Sequence, residues 1–118
     1  MRPINALGLA LLPIAAARKH SSCDCGTETL RGKHYEYDWL LTYNVCVYSY
    51  PRSAEYDFQT GRCEAVDLMS GDRFHGDCEY FGKNGYFPVS PSDNITLDEN
   101  LPRLYHIHKD RKVGSRCR

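Results

Sequence analysis

The sequence lacks an excess of charge of either sign. Fifteen basic and fifteen acidic residues give a formal net charge of zero at neutral pH. A chain with this balance has no global field that attracts nucleic acid or an anionic membrane. Any electrostatic site on it therefore has to be local.

Long apolar runs are also absent after the first 17 residues. Residues 6 to 17 are apolar except for Gly8 and Pro13, and this run is shorter than the about 18 residues that a bilayer span needs. It follows Arg2 and ends at Ala15-Ala16-Ala17, the small residues that a signal peptidase requires. We therefore predict a cleaved secretory signal peptide over residues 1–17, a secreted extracellular protein and no membrane partner.

The remaining residues, 18–118, predict a single domain without internal repeats. A domain of this size buries only roughly two-thirds of its unfolded surface, so its core leaves a small margin over chain entropy. Crosslinks are the usual remedy in secreted proteins. The six cysteines, an even number, predict three disulfides: Cys23, Cys25, Cys46, Cys63, Cys78 and Cys117.

The spacing of the cysteines limits how they pair. In an extended segment the Cα atoms of Cys23 and Cys25 would lie about 6.5–7 Å apart, so we expect two different partners. A bridge from Cys23 or Cys25 to Cys117 is favoured, because it closes nearly the whole domain. The other pairings stay open. A metal site combining these two cysteines with His106 and His108 is disfavoured by the oxidising compartment, so no metal and no cofactor is predicted.

Aromatic and β-branched residues recur at every second position between Tyr35 and Tyr50, which predicts a strand with one buried face. A helix from about Tyr35 to Thr42 is the alternative. Downstream, turn residues recur at short intervals and predict strands near 55–59, 62–69, 73–81, 85–89 and 103–108. Asn84-Gly85 predicts a tight hairpin, and the polar stretch Ser90 to Leu101 predicts a surface loop. The expected fold is mainly β, with a small α+β domain as the alternative: a compact disulfide-rich antiparallel sheet or sandwich with at most one short helix.

Several residues are candidates for a functional role. The triplet Asn94-Ile95-Thr96 is a glycosylation acceptor sequence, and its polar loop would make Asn94 accessible. His106 and His108 would share one face of a strand, as exposed polar residues or as an acid-base pair. The C-terminal basic residues form either a solvated tail or a site for an anionic partner: Lys109, Arg111, Lys112, Arg116 and Arg118.

Nine tyrosines and Trp39 are many aromatic residues for this length. Most are expected in the core or on the faces of the sheet. If several of Tyr35, Tyr37, Trp39 and Tyr43 faced outward, they would form a platform for sugars or bases, or a protein-recognition surface.

In its layout the chain resembles the small secreted cysteine-rich effector proteins of plant-associated fungi. The resemblance rests on the alanine-rich leader, on Cys23-Asp24-Cys25 after it, on Thr60-Gly61-Arg62-Cys63 and on the closing Gly114-Ser115-Arg116-Cys117. The resemblance covers the whole chain and concerns its architecture. It implies a virulence-type role in which the protein binds a host component without catalysis, with entry into host cells at a later stage as an open alternative.

A narrower resemblance is to the secreted guanyl-specific ribonucleases of fungi. It rests on the order of Ser49-Tyr50-Pro51-Arg52, Tyr56-Asp57-Phe58, Asp72-Arg73, Cys78-Glu79-Tyr80 and His106 before Cys117. It implies a curved antiparallel sheet packed on a helix, with Tyr50 and Arg73 contacting phosphate, Glu64 as the nearest candidate base and His106 as the acid. Arg52 stands where that family has a histidine, so the resemblance also covers a ribonuclease-like fold without activity.

The leading prediction is a monomeric, non-enzymatic, glycosylated effector whose partner is a host protein. A ribonuclease-like protein that binds or cleaves RNA is the first alternative. A module that binds cell-wall polysaccharide through exposed aromatic residues is the second.

Overall fold

The computed structural model describes residues 19–31, 34–103, 105–108 and 110–118. The predicted signal peptide, residues 1–17, lies outside the described residues. In chain order the elements are β1 (Lys19–Thr29), β2 (Tyr35–Tyr37), α1 (Trp39–Ser49), β3 (Ala54–Asp57), β4 (Arg62–Ser70), α2 (Gly71–Asn84) and β5 (Arg111–Cys117).

All five strands form one antiparallel sheet around β1. Cys23 in β1 pairs with Cys63 of β4 on one side and with Cys117 of β5 on the other. Strand β3 extends the sheet beyond β4, and β2 continues the β4 side of β1 at Gly26 to Glu28. Apart from β2, the succession is β-α-β-β-α-β with spatial order β5-β1-β4-β3, which is the split βαβ arrangement.

The predicted fold class is confirmed: the domain is a disulfide-bonded antiparallel sheet with helices, an α+β fold dominated by strands. The described chain has two helices instead of at most one short helix. The predicted strands near 55–59 and 62–69 correspond to β3 and β4.

The strand predicted from Tyr35 to Tyr50 ends at Tyr37, and α1 begins at Trp39. Asp38 starts the helix, because its side chain accepts a 3.0 Å hydrogen bond from the backbone N–H of Leu41. Leu41, Val45 and Cys46 then face the core at helical spacing. The helical alternative, from about Tyr35 to Thr42, is therefore correct only from Trp39 onward, and the helix continues to Ser49.

The strand predicted at 73–81 is wrong, because this segment forms α2. Ser70 caps the helix by accepting from the N–H of Arg73 at 3.2 Å, and Phe74, Cys78 and Phe81 line its buried side. The predicted hairpin at Asn84-Gly85 is also wrong. Gly85, with φ of 100°, ends the helix, and its N–H donates to the carbonyl of Phe81 at 2.9 Å.

The segment between α2 and β5 contains isolated bridges in place of the strands predicted near 85–89 and 103–108. Tyr86 pairs with Tyr105, and Val89 pairs with Leu97. The polar stretch from Ser90 to Leu101 is a largely exposed loop, as predicted. The sequence pattern did not predict β1 or β5.

Three disulfides tie these elements together. Cys23–Cys117 joins β1 to β5 and confirms the predicted bridge between the two ends of the domain. Cys25–Cys78 ties β1 to α2, and Cys46–Cys63 ties α1 to β4. Cys23 and Cys25 have different partners, as expected, and all six cysteines form disulfides.

The core lies between the sheet and the helices. It contains the disulfides together with Leu41, Val45, Phe74, Phe81 and Val113. Because side chains alternate along a strand, residues next to the buried Cys23, Cys25 and Cys63 point to the opposite face of the sheet. We call this the outer face.

Candidate functional site

The outer face holds a cleft of about 470 Å³ between β1, β2, the start of β4 and the end of β5. Its volume falls in the range of small-molecule sites, about 300–1,000 Å³. Its walls contain three arginines, two tyrosines and one carboxylate: Arg62, Arg116, Arg118, Tyr35, Tyr37 and Asp24, together with Thr60 and Cys117.

A buried ion pair between Arg62 and Asp24 forms the floor of this cleft, and each side chain is 9% exposed. Arg62 also donates from Nε to the Ser22 hydroxyl at 2.8 Å and from Nη2 to the Ser22 carbonyl at 2.9 Å. A further 3.3 Å bond from Nη2 reaches the carbonyl of Arg116 in β5. One guanidinium thus connects β4, β1 and β5 at the bottom of the cleft.

Tyr35 covers this ion pair. Its hydroxyl donates to Asp24 Oδ1 at 2.5 Å, and burial, followed by this contact with the carboxylate, raises its pKa well above the ordinary value. The ring lies on Gly26 and Gly114, which are cross-strand partners without Cβ atoms. The guanidinium carbon of Arg116 lies 4.1 Å from the ring centroid. Tyr35 therefore positions Arg116 over the sheet.

A second feature lies next to the cleft and shares Tyr37 with it. The rings of Tyr43 in α1, Tyr56 in β3 and Phe58 lie within 4.9–5.3 Å of one another, centroid to centroid. The hydroxyl of Tyr37 lies 3.0 Å from that of Tyr56 and donates to the carbonyl of Gly61 at 2.5 Å. These three rings and Tyr37 form a continuous aromatic cluster.

Helix α1 extends this cluster, because Trp39, Tyr43 and Val47 are four residues apart and lie on one side of the helix. Phe58 is 59% exposed, Tyr37 46% and Trp39 45%. We refer to the set as the aromatic surface: Tyr37, Trp39, Tyr43, Val47, Tyr56 and Phe58. A shallow groove of about 330 Å³ lies along it.

The loop with the glycosylation sequence borders the aromatic surface. The Tyr43 hydroxyl donates to the carbonyl of Ile95 at 2.5 Å. Asp93 organises the turn by accepting from the Thr96 hydroxyl and from the N–H groups of Ile95 and Thr96, and these bonds lower its pKa to about 2. Asn94 between them is exposed, with φ of 57°.

The structure brings together two of the four residues assigned by the ribonuclease resemblance. The guanidinium carbon of Arg73, in the first turn of α2, lies 4.9 Å from the ring centroid of Tyr50. Tyr50 is buried, its ring stacks on Phe74, and burial together with the nearby Asp77 raises its pKa. Tyr50 thus belongs mainly to the core.

The other two residues lie elsewhere. His106 faces the Gly85 end of α2, about 18 Å along the helix from Arg73 at 1.5 Å per residue. Glu64 lies on the outer face of β4 and accepts from the Thr60 hydroxyl at 3.2 Å. The four residues do not form one cluster, and ribonuclease activity stays a prediction. His106 and His108 do not lie on a strand, and His108 contacts Asp110 at 2.6 Å.

The C-terminal basic residues, most of them in strand β5, lie in two different environments. Arg111 pairs with Glu36 at 3.1 Å and Lys112 with Glu28 at 3.6 Å, whereas Arg116 and Arg118 line the cleft. Lys109 lies outside the described residues. Arg111 and Lys112 are therefore paired with acidic side chains, whereas Arg116 and Arg118 are exposed in the cleft.

Sequence reasoning assigned no role to Asp24 and Arg62. The signal that could have found them is their position beside cysteines: Asp24 lies between Cys23 and Cys25, and Arg62 precedes Cys63. If the cysteines face the core, alternation places both charged residues on the opposite face.

Comparison with protein-family models, with curated proteins and with solved structures finds no match for this chain. In the described part of the chain, no helix is long and apolar enough to cross a membrane. The same residues contain no group of three or more His, Cys, Asp or Glu side chains placed to hold a metal ion.

Proposed function

We propose that this protein is a secreted recognition protein of the effector type, which acts as a monomer by binding a host protein without catalysis. The observation that carries the proposal is the aromatic surface. Tyr, Trp and Phe are enriched at protein interfaces, Trp and Tyr are frequent among the few residues that dominate the binding energy, and a contiguous exposed apolar patch marks an interaction site.

The aromatic surface is also rigid, which favours binding. The rings of Tyr43, Tyr56 and Phe58 contact one another, and the Cys46–Cys63 disulfide joins α1 to β4 next to the groove. Side chains that are already ordered lose little conformational entropy when a partner docks. A fixed aromatic surface of this kind suits a specific partner.

Secretion is supported by the use of all six cysteines in disulfides, which persist in oxidising compartments. The exposed Asn94 in an ordered loop supports the proposal that the protein is glycosylated there. A non-catalytic role is supported by the separate positions of Arg73, Glu64 and His106.

The test is a comparison of three proteins in a pull-down from host extract. The double variant Trp39→Ala/Phe58→Ala removes two of the most exposed rings of the aromatic surface. Tyr80→Ala is the matched control, because Tyr80 is 57% exposed but lies on α2. A specific partner should be retained by the wild type and by the control and lost by the double variant.

Parallel assays address the other function classes. Cleavage of RNA that disappears in His106→Ala would replace the proposal with the ribonuclease-like function. Sedimentation with chitin or another cell-wall polysaccharide, lost in the double variant, would assign the aromatic surface to sugar binding. Equal retention of the host protein by all three proteins would reject the aromatic surface as its site.

A further inference from the structure

We propose that the arginine cleft on the outer face is a binding site for a phosphate or sulfate ester of nucleotide or monosaccharide size. This site adjoins the aromatic surface, with which it shares Tyr37, and it does not depend on the function proposed above. The inference rests on the charge balance of the cleft, on the free hydrogen-bond donors in it and on the way the fold holds them.

The charge balance within the cleft is positive. Three guanidinium groups line it, and the single carboxylate, Asp24, is already engaged by Arg62 and by the Tyr35 hydroxyl. Asp24 therefore neutralises one arginine, and no second carboxylate side chain among the residues that line the cleft pairs with Arg116 or Arg118. Two carboxylates border the cleft and have other partners: Glu28 pairs with Lys112, and Glu64 accepts from the Thr60 hydroxyl.

The donors that have no hydrogen-bond partner among the described residues lie on two sides of the cleft. Arg116 in β5 and the following Arg118 are two residues apart in extended chain, so both side chains point to the outer face. The ladder with β1 continues through Arg118, whose N–H donates to the carbonyl of Ser22 at 2.8 Å. From the floor, Arg62 uses four of its five N–H groups on described residues, which leaves one N–H at Nη1.

This donor set fits a tetrahedral oxyanion. A phosphate or sulfate ester presents several acceptor oxygens in different directions, and guanidinium groups bind such oxygens by short charge-assisted bonds. A carboxylate offers only two oxygens, which a single arginine satisfies. The half-exposed ring of Tyr37 lines the same cleft and would contact the body of the ligand.

Arg116 is held in place before any ligand arrives. Its guanidinium stacks on Tyr35, and that ring is fixed between the sheet glycines and the Asp24 carboxylate. A buried ion pair is often no more stabilising than apolar residues of the same volume, so its presence under an open cleft is better explained by positioning. The Asp24, Arg62 and Tyr35 network is accordingly a support for Arg116.

The experiment is a titration of the full disulfide-bonded protein followed by NMR at fixed ionic strength. The probes are adenosine 5′-monophosphate, glucose 6-phosphate and glucose 6-sulfate, with adenosine and glucose as ester-free controls. Saturable shifts are expected for the side-chain N–H of Arg116 and for the amides of Gly26 and Gly114. The order of the affinities of the nucleotide, the sugar phosphate and the sugar sulfate shows which of these classes of ester the cleft prefers.

Variants test the residues. Arg116→Ala should weaken binding about tenfold or more, since a hydrogen bond to a charged group contributes about that factor. Arg116→Lys should restore part of the affinity through charge alone. Arg52→Ala, an exposed arginine outside the cleft, and Trp39→Ala/Phe58→Ala should bind like the wild type.

The proposal is overturned by any of three results. The first is that adenosine and glucose bind as tightly as their esters. The second is that no probe gives saturable shifts. The third is that Arg116→Ala binds the esters with the same affinity as Arg52→Ala and the wild type. Both arginines are exposed, so these variants are expected to fold, and a one-dimensional spectrum of each confirms it.

Discussion

Arg62 and Asp24 form a buried ion pair on the face of the sheet opposite the helices. Removing one charge would leave the other buried without its partner, which typically costs about 3–5 kcal/mol. Arg62→Met should therefore lower the free energy of unfolding by about that amount in urea denaturation. The double variant Asp24→Leu/Arg62→Met should cost less than the single change, because no unpaired charge remains.

The control for this ion pair is Arg73→Met. Arg73 lies 3.9 Å from Asp77, and its side chain is 65% exposed, so its loss should cost no more than about 1 kcal/mol. If Arg62→Met and Arg73→Met had equal effects, the buried pair would have no special structural role.

Gly26 is required where it is because the Glu36 carbonyl and the Tyr35 ring lie directly against it. A Cβ atom on Gly26 would clash with the carbonyl oxygen of Glu36 and would lie 2.6 Å from Cζ of Tyr35. Gly26→Ala should therefore destabilise the domain by about 1–3 kcal/mol, as overpacking does. The free energy of unfolding, measured by urea denaturation, is the readout.

Gly76→Ala is the matched comparison, because Gly76 is exposed within α2 and nothing lies within 4 Å of its added Cβ. There the alanine should stabilise the protein by about 0.5–1 kcal/mol, since glycine is unfavourable inside a helix. We therefore expect the two glycine-to-alanine variants to change the free energy of unfolding in opposite directions. A gain of stability in Gly26→Ala would contradict the close packing of Glu36 and Tyr35 against this position.

The disulfides should contribute unequally. Cys23 and Cys117 are 94 residues apart, whereas Cys46 and Cys63 are 17 apart. Chain entropy predicts a stabilisation larger by about 1.5 kcal/mol for the longer loop. Paired cysteine-to-alanine variants, compared by chemical denaturation, should show this order, and the reverse order would mean that local packing dominates.

The acidic turn at Asp93 should hold its structure to low pH. The hydrogen bond from Thr96, followed by those from the backbone N–H groups, lowers the pKa of Asp93 from 3.8 to about 2. A carboxyl group with a lowered folded pKa stabilises the fold above its unfolded pKa and loses this contribution as pH falls through the folded value. The stabilisation should thus be lost between about pH 4 and pH 2.

An NMR titration of the Asp93 carboxyl carbon checks this directly. Thr96→Val removes the leading cause of the shift, so the midpoint in that variant should move up toward 3.8. An unchanged midpoint would show that Thr96 does not hold the carboxylate.

The sequence could predict the parts of this fold that depend on composition and local chemistry. Six cysteines after an apolar leader were enough to predict three crosslinks, and the position of Cys117 near the last residue predicted its bridge to β1. Strands β3 and β4 were predicted because turn residues bound them on both sides. The polar loop around Asn94 was predicted from its prolines and acidic residues.

Helix α2 shows where local patterns fail. Its sequence contains glycine and aromatic residues that are unfavourable in helices, so the pattern favoured a strand. The helix is stabilised by the burial of Phe74, Cys78 and Phe81 and by the disulfide to Cys25, which are contacts with distant parts of the chain. Similarly, β5 consists largely of polar residues and is a strand because it pairs with β1.

The sequence by itself determined the disulfide-bonded character of the protein, its β-rich class and the number of aromatic and basic side chains. Only the tertiary structure decided which of these side chains meet. Tyr35, Asp24, Arg62 and Arg116 come from four separate strands, and no local spacing relates them. They converge because the sheet sets their register, and that register depends on long-range pairing, which a linear pattern does not encode.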